Sequence, residues 1–221
     1  MCGFFGNFAH YGNKIIANSR LKEISNFISH RGPDGEGFYE DQNVSLAFKR
    51  LSIIDIKNGN QPFHSQNGKY VIVFNGEIYN YSSIRSQLVA SGIKLKTNSD
   101  TETLLEALSL WGVKYINNVN GMFSFILYDK KDNKIYLVRD RLGIKPLYYT
   151  KVANNYLFSS EINAILKTNL INKKVNLNAI SSYLSFRNPI GVGTFFEEIK
   201  EVQPGEIISI NEKIEKSKYW E

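Results

Sequence analysis

Short runs of apolar residues, many of them β-branched or aromatic, recur along the whole chain. Glycine, asparagine, aspartate or lysine bounds each run, which is typical of strands rather than of helices. On this pattern the sequence predicts strands at Cys2–Ala9, Val44–Lys49, Tyr70–Phe74, Met122–Tyr128, Ile135–Val138, Tyr156–Phe158 and Ile207–Ile210.

Between these runs, apolar residues recur at the spacing of a helix face. The clearest helix is predicted over Thr101–Trp111, where large apolar side chains share one face. Ser99 followed by Glu102 fits a capping box at its start, and Gly112 suits its end. Shorter helical stripes lie around Leu21–Ile28, Ile84–Val89, Glu161–Lys167 and Leu177–Leu184.

The order of these elements indicates the fold class. Strands outnumber helices, and they come in clusters rather than alternating strictly with helices. This favours an α+β layered sandwich with largely antiparallel sheets over a doubly wound fold. A chain of 221 residues with 43% hydrophobic residues can bury one proper core, and two small domains are the alternative.

The end of the chain differs in composition from the rest. After Gly205 the sequence becomes rich in charged residues, so we expect one domain over residues 1–210 and the start of a linker over 211–221. Tyr219 and Trp220 would expose large aromatic surface if nothing covered them, which favours a further domain after them.

Charge and cysteine count narrow the class of protein. The net charge is +6, but the basic residues are spread along the chain, so no nucleic-acid interface is expected. The single cysteine excludes an intramolecular disulfide and favours a reducing compartment. The N-terminus does not resemble a signal peptide and no apolar stretch is long enough to span a membrane, so we expect a cytoplasmic protein without a membrane partner.

That single cysteine, Cys2, directly follows the initiator methionine. A thiolate is a strong nucleophile, but it needs a base or a lowered pKa. If Met1 is removed, the free α-amino group of Cys2 has a pKa of about 7.7–8.0 and can serve as that base. Nucleophile and base then belong to one residue, as in enzymes with an N-terminal threonine. The alternative is that Cys2 is only a small buried residue that opens a strand.

Other polar residues suit such a nucleophile, and each has a simpler alternative. Arg50 ends a predicted strand and could bind a carboxylate through its planar fork, or be a solvated surface charge. The Asn75 amide and the Gly76 N–H could form an oxyanion hole, although Asn-Gly between apolar runs is also typical of a hairpin turn. Asp100 could accept hydrogen bonds from a substrate ammonium group, or only favour the start of its helix.

Together these residues describe one kind of site. A thiol with its own amine, an arginine for an α-carboxylate, carboxylates for an α-ammonium group and an oxyanion hole suit cleavage of a side-chain amide. The substrate would then be free glutamine or asparagine. The sequence contains no Walker loop, and His10, His30 and His64 lack the spacing of metal ligands, so neither a cofactor nor a metal is expected in this chain.

Several motifs, in one order, resemble the N-terminal glutaminase domain of glutamine-hydrolysing asparagine synthetases, which is a class II glutamine amidotransferase. They are MCGFFG, HRGPDGEG, RLSIID, GNQPF, FNGEIYNY, SDTE, NGMFSF, RDRLGIKPLYY and FSSEINAIL, from Met1 to about Leu166, with a weaker QPGE near Gln203. Related enzymes that aminate sugar phosphates or phosphoribosyl pyrophosphate share the N-terminal cysteine. RGPD and NGEIYNY resemble the asparagine synthetase branch more closely.

The resemblance implies a fold and the reacting groups. The fold would be the four-layer αββα sandwich of N-terminal-nucleophile hydrolases. Cys2 would be the nucleophile once the initiator methionine is lost, and Asn75 with Gly76 would form the oxyanion hole. Arg31 and the stretch Arg139–Tyr149 also match the family, and we expect them to shape the site.

The same resemblance implies how the substrate, L-glutamine, is held. Arg50 would bind its carboxylate, and Glu77 with Asp100 would bind its amino group. The backbone around Ile53 would help to hold it.

The resemblance also implies a partner for the reaction. In the family, ammonia passes to a second domain that adenylates aspartate with ATP and carries an SGG-type ATP-pyrophosphatase motif. Residues 1–221 contain no such motif, so we expect ATP and magnesium only in a synthetase domain that these residues lack. A homodimer is a further expectation. The alternatives are a glutaminase half with a different ammonia acceptor, and a non-catalytic glutamine-binding module that regulates a partner.

Overall fold

Residues 1–187 and 193–221 are described by the structure, which is a computed structural model. Within these two ranges, two six-stranded antiparallel sheets face each other. Helices pack on the outer face of each sheet. The layers therefore follow the order helix, sheet, sheet, helix, which confirms the expected α+β sandwich with antiparallel sheets.

The elements follow one another as clusters of strands separated by short helices. The strands are β1 (Gly3–Ala9), β2 (Gly35–Glu40), β3 (Val44–Arg50), β4 (Phe63–His64), β5 (Tyr70–Ile78), β6 (Gly121–Asp129), β7 (Lys134–Arg139), β8 (Tyr148–Val152), β9 (Asn155–Ser159), β10 (Lys200–Glu201), β11 (Glu206–Ile210) and β12 (Ile214–Lys218). The helices are α1 (Asn18–Ser25), α2 (Tyr81–Ala90), α3 (Asp100–Trp111), α4 (Ile162–Lys167) and α5 (Leu177–Phe186), with 3-10 helices at Asn26–Arg31 and Val113–Asn118. In the described part of the chain, no helix has the length and apolar character needed to cross a bilayer.

The strand orders of the two sheets are β10-β8-β9-β1-β3-β2 and β12-β11-β7-β6-β5-β4. β1 lies in the interior of the first sheet, where it pairs with β3 and β9. β5 lies next to the edge of the second sheet and pairs with β6 along its whole length. Because side chains alternate between the faces of a strand, each of these strands presents one row to the space between the sheets.

Apolar clusters fill the spaces between the layers. The central cluster joins the sheets and includes Phe4 of β1 and Val73 of β5. A second cluster packs the outer face of β5 and β6 against α2 and α3, with Leu105 fully buried. A third packs Phe5 of β1 against α1, with Ile24 on the helix side. Each fully buried side chain of this size contributes about 1.5–3 kcal/mol.

The strand predicted at Tyr70–Phe74 continues to Ile78 and carries Asn75 and Gly76 in its interior. Both are paired with residues of β6, so the alternative prediction of a hairpin turn at Asn-Gly is wrong. Close packing explains the glycine, because a Cβ at position 76 would lie 2.3 Å from the Met122 carbonyl oxygen.

Residues 211–221, for which the sequence predicts the start of a linker, contribute to the second sheet. β12 pairs with β11 along its whole length, so the sheet extends past the expected boundary at residue 210. The Tyr219 hydroxyl donates a hydrogen bond to the Arg139 carbonyl at 2.8 Å. The Arg141 guanidinium lies 4.1 Å from the centre of the Trp220 ring. The composition does not indicate this strand, because its five residues are all exposed at a sheet edge, where charged side chains are common.

Candidate active site

The residues selected from the sequence line one pocket at an end of the central apolar cluster. Its lining includes Cys2, Arg50, Ile53, Asn75, Gly76, Glu77 and Asp100. These residues come from the position directly before β1, the end of β3 and the loop after it, the second half of β5, and the first turn of α3. The fold therefore brings together four segments that are distant in sequence.

Cys2 lies directly before β1 and packs, partly buried, against the central cluster. The backbone of Leu51 holds its thiol: the Leu51 N–H donates to Sγ at 3.4 Å, and Sγ donates to the Leu51 carbonyl at 3.5 Å. Burial raises the pKa of the Cys2 thiol, while the Leu51 N–H and the positive charges of the N-terminus and Arg50 act in the opposite direction. A thiol in this setting needs a nearby base to become a thiolate.

Asn75 projects its amide into the pocket from the interior of β5. The residue is 1% exposed, and its Nδ2 group has no hydrogen-bond partner among the described residues. A buried donor without an acceptor costs about 1–3 kcal/mol. This donor is therefore available to an oxygen atom bound in the pocket.

The Gly76 N–H points into the same pocket. The neighbouring N–H groups of β5 on either side point away from β6: that of Phe74 donates to Gln61 Oε1 at 2.6 Å, and that of Ile78 donates to Asp100 Oδ2 at 3.1 Å. Because backbone N–H groups alternate along a strand, the N–H of Gly76, midway between them, points in the same direction. It is thus directed between Gln61 and Asp100, which both line the pocket.

Asp100 is held in place by the start of α3. The Ser99 side chain accepts a hydrogen bond from the Glu102 N–H at 3.1 Å. The Glu102 carboxylate does not return to Ser99 but accepts from the Lys96 and Thr97 N–H groups at 2.8 and 2.7 Å. Of the expected capping box, only the hydrogen bond from the Glu102 N–H to the Ser99 side chain forms. The Glu102 carboxylate instead fixes the loop before the helix.

Two carboxylates, Asp100 and Glu77, line the pocket. Asp100 is 5% exposed, and this burial raises its pKa to about 6, an effect that the charge of Glu77 reinforces. The Ile78 N–H opposes the rise. A cation between the two carboxylates would offset both the cost of burying the Asp100 charge and the repulsion between the two charges. The position therefore suits an ammonium group.

Arg50 is 7% exposed, so the alternative interpretation of this residue as a solvated surface charge is wrong. Its guanidinium donates to the Ile56 carbonyl at 2.8 Å, to Asn60 Oδ1 at 2.9 Å and to the Asp55 carbonyl at 2.8 Å. The side chain thus fixes the loop between β3 and β4. Ile53 on this loop is 71% exposed although it lines the pocket, so the loop forms one wall of the entrance.

Comparison with known proteins decides the family. A family model described as a glutamine amidotransferase domain matches residues 1–220. The chain belongs to this family. It is similar to the glutamine-hydrolysing asparagine synthetase 1 of Bacillus subtilis (strain 168), with 37% identity over 212 residues, which cover 95% of this chain and 33% of that protein. It is also similar to the amidase chry2 of Gibberella zeae, with 34% identity over 235 residues, covering 100% of this chain and 34% of that protein.

A solved structure shares the fold. The glutamine phosphoribosylpyrophosphate amidotransferase of Bacillus subtilis matches 99% of this chain and 49% of its own, with a TM-score of 0.69 and 20% identity. This likeness confirms the expected αββα sandwich of N-terminal-nucleophile hydrolases. The amidotransferase domain spans about a third of the length of the curated relatives it matches.

In this amidotransferase domain, Arg31 fixes the main chain that carries the thiol. Its Nε donates to the Cys2 carbonyl at 3.0 Å, and its NH1 donates to Glu161 Oε1 at 3.0 Å. His30 Nε2 lies 2.8 Å from the same carboxylate oxygen. The 3-10 helix before β2 and the loop after β9 are thereby joined behind Cys2. Arg31 therefore positions the backbone of Cys2.

Two polar residues of the pocket lining, Gln61 and Lys145, were not predicted to react or to bind substrate, although Lys145 lies in the stretch that was expected to shape the site. Gln61 is 8% exposed and Lys145 is 5% exposed. Both lie in loops, where no apolar periodicity marks a buried position. The one signal for Lys145 is its place between Ile144 and Pro146 in a stretch that matches the family. Across residues 1–187 and 193–221, no group of three His, Cys, Asp or Glu side chains is placed to hold a metal ion.

Proposed function

We propose that the domain hydrolyses L-glutamine to glutamate and ammonia, with Cys2 as the nucleophile after loss of Met1. One observation carries this proposal. The thiol of the chain's single cysteine lines the same pocket as an unpartnered buried amide, Asn75 Nδ2, and the Gly76 N–H. A nucleophile beside two free donors is the arrangement that acyl transfer from an amide requires.

The reaction proceeds by double displacement. The α-amine of Cys2 accepts the thiol proton, and the thiolate attacks the side-chain carbonyl carbon of glutamine. The carbonyl oxygen becomes an oxyanion that accepts hydrogen bonds from Asn75 and Gly76. The C–N bond then breaks, and the amine returns its proton, directly or through water, to the departing ammonia. Water hydrolyses the γ-glutamyl thioester, which releases glutamate and restores the thiol.

The substrate's backbone groups would bind on the opposite side of the pocket. Glu77 and Asp100 would hold the ammonium group, because both carboxylates line the pocket and repel each other. Arg50 would hold the carboxylate, since no hydrogen bond within the described residues engages its Nε. The backbone at Ile53 would close the site. In this arrangement the bonds of Arg50 to its own loop orient the guanidinium before glutamine arrives.

The ammonia would be consumed by a synthetase domain outside residues 1–221, which converts aspartate to asparagine with ATP and magnesium in the cytoplasm. The Bacillus subtilis relative is named as a glutamine-hydrolysing asparagine synthetase, and this chain covers 33% of it. The amidase chry2 is 34% identical, and this similarity favours a different ammonia acceptor as the second candidate. The hydrolysis proposed for this chain uses only its own groups.

The nucleophile is tested with Cys2→Ala and Cys2→Ser variants of the Met1-free protein. Cys2→Ala should release no ammonia from L-glutamine but should still bind it in calorimetry, and acid-quenched wild type should carry a γ-glutamyl adduct by mass spectrometry. Asn75→Ala should lower kcat roughly 10²–10³-fold. Ammonia release by Cys2→Ala at the wild-type rate would overturn the proposal. Glutamine binding by an inactive wild type would indicate the non-catalytic module instead.

The acceptor is tested separately. The complete protein that contains this domain is supplied with glutamine carrying a ¹⁵N-labelled side-chain amide, together with ATP, magnesium and aspartate. Label in asparagine supports the asparagine synthetase reaction. Label that appears only as free ammonia, or in another acceptor, contradicts it.

A further inference from the structure

Lys145 places a buried ammonium group in the pocket wall. The residue is 5% exposed, and its Nζ donates to the Met1 sulfur at 3.0 Å. A thioether is a weak acceptor, and a buried charge is costly unless it is well paired. This contact alone therefore does not account for the position of the ammonium group.

The loop between β7 and β8 is built to hold Lys145 there. The Asp140 carboxylate accepts hydrogen bonds from the N–H groups of Leu142 at 3.1 Å and Ile144 at 3.0 Å through Oδ1, and from that of Lys145 at 3.0 Å through Oδ2. The Phe123 N–H also donates to Oδ2, at 3.2 Å. Because both oxygens of Asp140 are taken up by backbone N–H groups, this carboxylate fixes the loop rather than binding the lysine head.

The Arg139 guanidinium holds the same loop by binding two carbonyl groups of the loop. Its Nε donates to the Lys145 carbonyl at 2.8 Å, and its NH2 donates to the Gly143 carbonyl at 2.7 Å. Its NH1 is anchored on the Val202 carbonyl at 2.7 Å and on Glu201 at 2.8 Å. Buried polar networks of this kind restrict a loop to one conformation, so the direction of the Lys145 side chain is fixed.

The charges around Cys2 and Lys145 come from several elements. The 3-10 helix at Asn26–Arg31, the end of β3, β5, α3 and the loop after β7 contribute, in that order, Arg31, Arg50, Glu77, Asp100 and Asp140. Burial lowers the pKa of Lys145, and Arg31 acts in the same direction, while Asp140, Glu77 and Cys2 oppose them. Charges of both signs therefore surround the lysine head, which lines the same pocket as Cys2.

We propose, resting on the proposed function, that Lys145 is a positioning residue that acts through the α-amino group of Cys2. When Met1 is absent, the Lys145 ammonium faces the new α-amine and holds it in the neutral form that accepts the thiol proton. The geometric support is that Lys145 contacts the side chain of Met1, the residue whose removal creates this amine, and lines the same pocket as Cys2. A neighbouring cation disfavours protonation of an amine by electrostatic repulsion.

The titration of the α-amine tests this role directly. The chain has one cysteine, so Met1-free protein labelled with ¹³C-cysteine gives one spin system, whose Cα shift reports the amine and whose Cβ shift reports the thiol. Lys145→Met should raise the midpoint of the amine titration by roughly one pH unit, and Lys145→Arg, which keeps the charge, should not. The control is Lys114→Met, because Lys114 is an exposed lysine. If Lys145→Met does not fold, Lys145→Gln removes the same charge.

Equal midpoints in the wild type and in Lys145→Met would overturn the role of Lys145. In glutamine hydrolysis, the acidic limb of the kcat/KM profile should move up by the same amount in Lys145→Met, with KM unchanged. A raised KM with an unmoved limb would instead make Lys145 a substrate-binding residue and contradict the inference. The titration needs no glutamine, so an inactive wild type overturns the proposed function, whereas an unmoved titration in an active enzyme overturns only the role of Lys145.

Discussion

The Gln61 side chain pairs with the backbone of Phe74 in the manner of a neighbouring strand. The Phe74 N–H donates to Gln61 Oε1 at 2.6 Å, and Gln61 Nε2 donates to the Phe74 carbonyl at 3.1 Å. Gln61 Nε2 also lies 3.3 Å from Thr101 Oγ1. One buried amide thus completes the edge of β5 beyond β4 and ties it to α3. Gly76 follows two residues later, so this pairing fixes the edge from which the Gly76 N–H points.

The pairing predicts a large effect for Gln61→Glu. The variant keeps the shape of the side chain but removes the donor to the Phe74 carbonyl and places a carboxylate in a buried position. We expect the free energy of unfolding at neutral pH to fall by about 2–3 kcal/mol, measured by urea denaturation. The control is Gln42→Glu, because Gln42 is exposed, and it should change stability by less than about 0.5 kcal/mol. Equal stability of the two variants would show that the amide pairing is dispensable.

The close contact of β5 with β6 predicts that position 76 accepts only glycine. A Cβ there would lie 2.3 Å from the Met122 carbonyl oxygen and 2.6 Å from Phe123 Cα. Both are backbone atoms, so β5 and β6 would have to separate. Gly76→Ala should therefore lower the free energy of unfolding by about 3 kcal/mol or more.

The control for Gly76→Ala is Gly35→Ala at the start of β2, where a Cβ would find no atom closer than 3.9 Å. Thermal unfolding of both variants checks the prediction. Gly35→Ala should shift the midpoint by at most a few degrees, about what 0.5 kcal/mol produces. A Gly76→Ala protein with a wild-type midpoint would contradict the register in which β5 pairs with β6.

Elements that bury an apolar face were predicted from the sequence, and elements without such a face were missed. Helical spacing and apolar runs identified α3 and the first half of β5, because these elements bury one face. The same signal stopped at Phe74, since Asn75 and Glu77 face the pocket rather than the apolar core. It missed β12, whose side chains are all exposed. No apolar pattern marks Lys145, because the hydrogen bonds of Asp140 and Arg139 to its loop decide its burial.

The grouping of the candidate residues was predicted better than their contacts. Residue types that suit a thiol nucleophile, together with the family motifs, selected side chains that the fold does bring into one pocket. The sequence did not indicate that Arg50 binds its own loop or that the Ile78 N–H binds Asp100. Such bonds depend on the distance between segments that are remote in sequence, and no local pattern contains that distance.

The raised pKa of Asp100 predicts a pH-dependent stability. Burial raises this pKa from 3.8 to about 6, so the folded state binds the proton more tightly than the unfolded chain does. The contribution of Asp100 to the free energy of unfolding is therefore complete below about pH 4 and is lost as the pH rises through about 6. A rise of about two units corresponds to about 3 kcal/mol.

Asp100→Asn isolates this contribution, because the variant cannot titrate at position 100. The free energy of unfolding of the wild type minus that of Asp100→Asn should fall by about 2–3 kcal/mol between pH 4 and pH 7, measured by urea denaturation at each pH. The matched control is Asp132→Asn, since the Asp132 side chain is 59% exposed. A difference that stays constant or rises over this range would contradict the buried, charge-disfavouring environment of Asp100.

Removal of residues 211–221 tests whether this segment is part of the domain. β12 covers the edge of β11, whose five residues are all buried, and Tyr219 binds the Arg139 carbonyl. A chain ending at residue 210 would expose that edge and leave this acceptor unpaired, so we expect a lower thermal midpoint and concentration-dependent aggregation. A chain ending at Tyr219 keeps both contacts and loses the interaction of Trp220 with Arg141, worth about 0.5–1 kcal/mol. Light scattering and thermal unfolding distinguish the two chains, and equal stability of the shorter one would support the linker that the composition suggests for residues 211–221.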